Sequence, residues 1–197
     1  WLAIAGSGLS VTLSAGSLLS ASVTNLELEI NRATLPATAL DWTTQVEVGD
    51  SDNVFAATPG QLLVAYTADK LRVAGDLANL NIAGLVTGSA GATTATVGDG
   101  FVLERKLVDL DLVAGGTAEL ADAVMLEFSL SDFSLAVGTA GFGLAIGGSS
   151  LKIVSVAPAV ADGRSWLAIA GSGLSVTLSA GSLLSASVTN LELEINR

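Results

Sequence analysis

The stretch WLAIAGSGLSVTLSAGSLLSASVTNLELEINR occupies residues 1–32 and occurs again, unchanged, at residues 166–197. The two copies are offset by 165 residues, so the chain holds one full period, 1–165, and the first strand pair of the next repeat, 166–197. Self-similarity at a fixed period is the signature of repeat architectures. The sequence therefore predicts a window of a tandem array, in which residue 33 could follow residue 197 as it follows residue 32.

Apolar and polar residues alternate with period two along most of the chain, which is typical of half-buried β-strands. In several segments the phase of this alternation changes at small or turn-forming residues, for example across 6–8, 24–25 and 131–132. A β-bulge or a bend produces such a phase change, and Gly, Ser, Asn and Asp tolerate the backbone it requires. Each long strand is therefore predicted either to bend into a facing sheet or to pass a bulge while keeping one face inward.

These patterns predict an all-β fold with a tandem-repeat architecture of long, antiparallel, bulged strands. Short connections favour antiparallel neighbours, so we expect a meander that forms an elongated sandwich or a solenoid-like fibre. The expected strands of one period are 1–14, 17–32, 39–48, 61–75, 78–88, 101–112, 123–137 and 142–157. Because one strand pair is present twice, we also expect residues 1–32 of one copy to complete the sheet that 142–157 begin.

Composition excludes several functional classes. The net charge is −11 with only eight Lys and Arg residues, which argues against a nucleic-acid partner because phosphate neutralisation needs clustered basic side chains. The chain has no Cys and no His, so disulfides, thiolate chemistry and histidine acid–base catalysis are excluded. The longest apolar run is interrupted by glycines, and no transmembrane helix is expected. No residue pattern supports an enzyme.

Paired carboxylates occur at Glu27 and Glu29, repeated as Glu192 and Glu194, and a similar pair lies in the range 109–111. Retaining glycosidases need two carboxylates about 5 Å apart. Acidic residues at alternate strand positions are, however, the ordinary composition of a solvated sheet face. The solvated face is the favoured interpretation.

Oxygen-bearing side chains cluster in two irregular stretches, loops 49–60 and 89–100, and make them calcium candidates. The candidate ligands are Asp50, Asp52, Asn53 and Asp99. Calcium binds six to eight oxygens at about 2.4 Å, and turns rich in Asp and Asn can supply them. The spacing matches neither an EF-hand nor a nonapeptide calcium repeat, and Asx-turn chemistry explains the same residues. Both interpretations stay open, and no other cofactor is predicted.

Two tryptophans stand at expected strand positions, Trp1 (repeated as Trp166) and Trp42. No cluster of aromatic residues suggests a platform for stacking sugars or bases. We expect these side chains to fill the core or to anchor one repeat on the next.

Several segments resemble the tandem repeats of giant secreted or cell-surface bacterial proteins, loosely grouped as hemolysin-type or adhesin-like. They are ALDWTTQVEV (39–48), GLVTGSAG (84–91), FVLERKLVDLDL (101–112), RSWLAIAGSGLSVTLSAGS (164–182) and NLELEINRA (25–33). The resemblance covers essentially the whole period and implies an extracellular structural or adhesive role without catalysis. Related arrays often carry Asp- and Gly-rich loops after the VDLDL-like strand. Here residues 113–117 hold no acid, which weakens the calcium interpretation.

Together these observations predict a non-catalytic structural repeat unit of an extracellular bacterial fibre, stalk or surface filament. Its expected partners are neighbouring repeats or identical subunits, joined by continuation of the sheet. The alternative is an adhesin-type binding module that holds calcium or another ligand in loops 49–60 and 89–100.

Overall fold

The computed structural model of the chain describes residues 1–34, 37–46, 65–91, 99–112, 120–139 and 141–197. Strands make up 74% of these residues and none of them is helical, which confirms the all-β prediction. The strands are β1 (Leu2–Ala15), β2 (Leu19–Arg32), β3 (Lys70–Ile82), β4 (Val86–Ala90), β5 (Phe101–Leu110), β6 (Leu120–Thr139), β7 (Phe142–Ala157), β8 (Trp166–Ala180) and β9 (Leu184–Asn196).

All nine strands belong to one antiparallel sheet in the order β1-β2-β3-β4-β6-β7-β8-β9, with β5 pairing both β3 and β6. The pairings among β3, β4, β6 and β5 therefore close into a circuit of four strands. The register shows how: residues 70–75 of β3 pair with β5, whereas residues 77–82 pair with β4. Strand β6 likewise pairs with β5 through 120–130 and with β4 through 133–137. Thus β4 and β5 lie end to end between β3 and β6.

We call each position across the sheet a lane, and β4 and β5 together fill one lane. The period 1–165 then contributes six lanes, from β1 to β7, and β8 and β9 repeat the first two. Neighbouring strands lie about 4.8 Å apart, so six lanes advance the sheet by about 29 Å. The predicted meander is confirmed, since consecutive lanes are antiparallel and β7 pairs directly with β8.

The sheet is a single layer with very little interior. The accessible surface is 12100 Å², whereas a compact monomer of 19.6 kDa exposes about 8,600 Å². Buried apolar side chains among the described residues are only Tyr66, Ala74, Ala90 and Ala123. The second layer of the predicted sandwich is not formed by the described residues, because every described strand belongs to the same sheet.

Irregular pairings and positive backbone angles line up across the sheet in one line, which we call the bulge row. Register shifts occur between Gly6 and Leu9 in β1 and between Thr24 and Glu27 in β2. Positive φ angles mark the same line in five strands, at Gly8 (65°), Asn25 (51°), Asp132 (42°), Gly173 (58°) and Asn190 (55°). The predicted phase changes therefore coincide with bulges, where residues that accept a left-handed backbone are favoured.

The bulge row keeps apolar side chains on one face of the sheet. In β1 an extra residue lies between Gly6 and Leu9, which pair with Leu28 and Leu26 on an unshifted stretch of β2. The phase change alone would move the following apolar side chains to the other face, and the extra residue moves them back. The apolar positions before and after the bulge therefore share a face. One apolar row crosses seven lanes on one side of the bulge row: Leu28, Val73, Leu103, Phe128, Ile153, Ile169 and Ile195.

The opposite, polar face differs on the two sides of the bulge row. On one side, in 9–24, 77–90, 133–147 and 174–190, the described residues include no charged side chain. Small hydroxyl, amide and alanine side chains follow one another there, as in the row Ser20, Asn81, Thr87, Ala136, Ala145, Thr177 and Ser187. Most charged side chains lie on the other side of the bulge row.

The prediction of a strand at 39–48 is wrong over the described residues 39–46. Residues 42–44 form a turn, because the Asp41 carboxylate accepts hydrogen bonds from the Thr43 amide (2.8 Å) and hydroxyl (2.5 Å). Two further boundaries differ from the prediction. Strand β3 begins at Lys70 rather than at 61, and a turn at 83–85 interrupts the strand expected at 78–88.

The duplicated sequence allows a controlled test of the bulge row. Asn25 Nδ2 donates a 2.7 Å hydrogen bond to the buried Asp76, whereas its copy Asn190 makes no side-chain hydrogen bond with a described residue. Alanine at a left-handed position costs about 1 kcal/mol, and losing a hydrogen bond to a charged group costs about 1.5–3 kcal/mol more. We expect Asn25→Ala to lower the free energy of unfolding, measured by urea denaturation, about 2 kcal/mol more than Asn190→Ala. Equal losses would contradict this role of Asn25.

Candidate functional site on the polar face

Charged side chains of neighbouring lanes pair across the polar face from β2 to β7, and we call this set the charged ladder. The ladder lies between the bulge row and the strand ends near residues 31 and 70. Its ion pairs are Glu29–Lys70 (2.6 Å), Glu27–Arg72, Asp99–Arg72 (2.9 Å), Glu104–Lys106 (3.2 Å), Glu127–Lys106 (4.0 Å) and Glu127–Lys152 (2.6 Å).

The ladder contributes more to register than to stability. Its side chains remain 15–54% exposed, and exposed ion pairs contribute only about 0.2–1 kcal/mol each. A slip of one residue in β3 would move Lys70 and Arg72 to the apolar face and separate them from Glu29, Glu27 and Asp99. Lys70 lies directly opposite Lys106, and Glu104 directly opposite Glu127, so the ion pairs between strand residues of the ladder are diagonal or lie within one strand. These diagonal contacts are the ones that favour the observed register.

Asn31 is the largest fully buried side chain among the described residues, with 0% exposure. Its Nδ2 donates to the carbonyl oxygens of Leu40 (2.8 Å) and Ala68 (2.7 Å), and its Oδ1 accepts from Trp42 Nε1 (2.8 Å). Asn31 thus binds residues 37–46 and 65–69, which we call the covering segments, to the end of strand β2. Three hydrogen bonds on one fully buried amide fix the position of this side chain.

Tyr66 extends the covering segments from β2 to β1. Its hydroxyl donates to the Ile4 carbonyl oxygen (2.9 Å), and the Trp42 amide donates to the Tyr66 carbonyl oxygen (2.8 Å). The register places Ala3 and Ala5, the neighbours of Ile4, on the same face as Asn31 and Glu29. Small side chains at these two positions leave room for the phenol ring. Lys70 Nζ lies 5.4 Å from the ring centroid, within the range of a cation–π contact.

The predicted calcium ligands are only partly within the described residues. Asp50, Asp52 and Asn53 lie outside them. Asp99 lies within them, and its carboxylate is bound to Arg72 at 2.9 Å. No group of three or more acidic side chains among the described residues is close enough to hold a metal ion.

The paired carboxylates have different surroundings in the two copies. Glu27 and Glu29 belong to the charged ladder, where Arg72 and Lys70 neutralise them. Their copies Glu192 and Glu194 are on β9, whose outer side pairs with no described strand, and they make no ion pair with a described residue. The same sequence is therefore neutralised at one edge of the sheet and left with excess negative charge at the other.

The prediction that tryptophans fill the core or anchor one repeat on the next stays a prediction, because Trp42 is half-buried and binds Asn31 of the same repeat. Trp1 is 68% exposed and its Nε1 donates to the Thr38 carbonyl oxygen (3.0 Å), also in a covering segment. Trp166, the copy of Trp1, has the Arg164 guanidinium 5.9 Å from its ring. The sequence analysis missed Asn31 and Tyr66. The one signal in the sequence was that Asn31 follows Glu27 and Glu29 at the alternate, polar positions of LELEIN (26–31), at the end of the expected strand 17–32.

The duplicated Asn gives a matched test of the covering segments. Asn31→Ala leaves two backbone carbonyls and the Trp42 indole without their partner, each costing about 1–3 kcal/mol. We expect a loss of about 3 kcal/mol or more in the free energy of unfolding, measured by urea denaturation. Asn196→Ala changes an exposed copy of the same residue, and we expect a change within about 0.5 kcal/mol. Similar losses in both variants would mean that the cluster around Asn31 does not stabilise the fold.

The ionisation of the Tyr66 phenol tests, through its dependence on pH, whether this ring is buried in the folded chain. Burial is the main reason that the pKa of its phenol is raised above 10.0, and the nearby Glu29 carboxylate adds to the effect. In the unfolded chain the phenol ionises first, so its contribution to stability is complete below pH 10.0 and is lost as the pH rises through the folded-state pKa. The chain holds a single Tyr, so the ultraviolet absorbance of tyrosinate reports this group alone. We expect the pKa of Tyr66 to be higher in native protein than in urea-unfolded protein. We also expect the free energy of unfolding to fall less at alkaline pH in the Tyr66→Phe variant than in the unaltered chain. A native pKa at or below the unfolded value would contradict the burial of the ring.

No family model, curated protein or solved structure matches this chain. Among the described residues, no helix is long and apolar enough to cross a membrane. The geometry of the sheet, its edges and its polar face are therefore the observations from which function is inferred.

Proposed function

We propose that this chain is a structural repeat unit of an extracellular bacterial fibre, stalk or surface filament, with a mechanical role and no catalysis. One observation carries the proposal: β1–β2 and β8–β9 have the same sequence and the same antiparallel pairing, yet they lie at opposite edges of one sheet. No described strand pairs with the outer side of β1, whereas the identical strand β8 is paired there with β7. The sheet thus contains its own template for continuation beyond β1.

The edge at β1 supports assembly because it lacks most of the protection that edge strands usually have. Soluble proteins protect edge strands with Lys, Pro, short length or a covering element. Strand β1 is 14 residues long and contains neither a charged residue nor a proline. Along β1 no described strand pairs with the outward-facing backbone groups, and the Ile4 carbonyl oxygen accepts from the Tyr66 hydroxyl. A long, uncharged edge of this kind favours edge-to-edge pairing.

A fibre built this way would carry load through hydrogen bonds. Strands would lie across the fibre axis, and the bonds between lanes would lie along it. Each joint between β6, β7 and β8 spans 13 or more paired residues, so load on one joint is shared by many bonds in parallel. The apolar face would be covered by a second sheet about 10 Å away, as in other layered β-structures.

An extracellular location is part of the proposal. The absence of Cys suits extracellular bacterial surface proteins, and an acidic, His-free chain with half of its residues apolar is compatible with a surface filament. The resemblance to secreted and cell-surface repeat proteins supports the same location.

The test is electron microscopy of the purified chain combined with X-ray fibre diffraction. We expect filaments and a reflection at about 4.8 Å along the fibre axis, from strands stacked across it. A matched pair of variants tests whether chains join through the edge strand β1. Thr12→Lys adds a charge to β1, and Thr177→Lys makes the same change in the interior strand β8. We expect Thr12→Lys to reduce filament mass and Thr177→Lys to preserve it. Discrete particles of monomer size at all concentrations would overturn the proposal.

A further inference from the structure

The two copies of the 32-residue stretch differ in what covers them. In the first copy, Tyr66 and Trp42 donate hydrogen bonds to the Ile4 carbonyl oxygen and to Asn31, and Ala3, Ala5 and Glu29 share that face of the sheet with Asn31. The residues 165 positions later, 168–170 and 194–196, line an open groove of about 540 Å³ together with Lys152 and Val154. The groove therefore occupies the place that Tyr66 fills in the first copy.

The polar groups of the second copy are exposed where those of the first are satisfied. Asn196 is exposed, whereas Asn31 is 0% exposed and makes three hydrogen bonds. Glu194 is exposed, whereas its copy Glu29 binds Lys70 at 2.6 Å. The Glu29 and Asn31 side chains, which contact β3 or a covering segment in the first copy, thus have copies that face solvent in the second.

We propose that the groove and the outer edge of β9, which has the sequence of β2, together form an acceptor site for β3 of the next copy of this repeat, a strand that in the described chain pairs with β2. The incoming segment is residues 65–82, with Tyr66 entering the groove and β3 pairing with β9. The backbone of β9 would bind the added strand, and side chains would fix its register, as in other cases of strand addition. This inference deepens the proposed function, because it names the surface by which one repeat joins the next.

Three contacts of the first copy define the register of the joint. Glu29–Lys70, Glu27–Arg72 and the Asn25–Asp76 hydrogen bond become Glu194–Lys70, Glu192–Arg72 and Asn190–Asp76. The other free edge, β1, has no charged residue to meet Lys70 or Arg72. The acceptor site is therefore on β9 and not on β1, and the charges favour one register of the added strand.

The first experiment measures binding of a synthetic peptide, residues 65–82, to the full chain by isothermal titration calorimetry. We expect one saturable site per chain. Glu194→Lys brings a positive charge beside Lys70, and we expect at least about ten-fold weaker binding, equivalent to 1.4 kcal/mol. A peptide with Lys70→Glu should recover most of the affinity for the Glu194→Lys chain. The control is Glu29→Lys, the same substitution in the covered copy, which should change peptide affinity less than two-fold, on the order of experimental error.

The second experiment places the peptide on the chain. The chain has no Cys, so a single introduced thiol reports one location. Ser22 pairs with Asn79, and Ser187 is the copy of Ser22. A peptide with Asn79→Cys should form a disulfide with the Ser187→Cys chain. The same peptide should react little with the Thr12→Cys chain, whose thiol lies on the other free edge.

The outcomes separate this inference from the proposed function. Absence of peptide binding, equal affinity for the Glu194→Lys chain without charge-swap recovery, or equal cross-linking to Thr12→Cys would each overturn the acceptor site. Filaments together with any of these results would leave the fibre proposal standing and remove this joint. Peptide binding at β9 with only discrete particles in the microscope would do the reverse.

Discussion

Hydrogen bonds between neighbouring strands hold this molecule together, because so few of its side chains are buried. A globular domain gains most of its stability from an apolar core. Here the core among the described residues is reduced to three alanines and one tyrosine, while large apolar side chains such as Leu13, Leu144 and Leu178 remain exposed. Every lane therefore depends on the lane beside it, and among the described strands the two outermost, β1 and β9, have a partner on one side only. Continuation of the sheet and a covering layer on its apolar face are the two ways in which such a structure gains stability.

The bulge row solves a problem that long strands create. A strand of 14 or more residues twists, and a strictly alternating pattern of that length offers no place for local adjustment. Bulges in adjacent lanes provide that place at a common position across the sheet. Because a bulge adds one residue where the alternation changes phase, both halves of a bulged strand such as β1 keep the same apolar face. The charged ladder and the uncharged hydroxyl rows can then lie on opposite sides of the bulge row without disturbing that face.

Sequence alone predicted the class, the meander and the positions of the bulges, since alternation and its phase changes are local patterns. It could not choose between a bend and a bulge at 6–8 or 24–25, because that choice depends on register shifts in the neighbouring strand. The segment 39–46 alternates like a strand, but Asp41 closes a turn and Asn31 holds it from outside the segment. The contact between Asp99 and Arg72 joins residues 27 positions apart, and no local composition could reveal it. The acceptor groove could not be predicted either. It is recognised only because Tyr66 and Trp42 cover the first copy of the same sequence and leave the second copy open.

The even number of lanes in one period has a consequence for copy number. In an antiparallel sheet, direction alternates from lane to lane, so the seventh lane runs the same way as the first. With six lanes, β8 runs in the same direction as β1 and presents the same face. The side of β8 that pairs with β7 is the side of β1 that pairs with no described strand. A period with five or seven lanes would reverse that direction and turn the wrong side toward its neighbour. In the proposed fibre, a whole period could therefore be added or removed without creating a new kind of joint, whereas the loss of a single strand would change every joint beyond it.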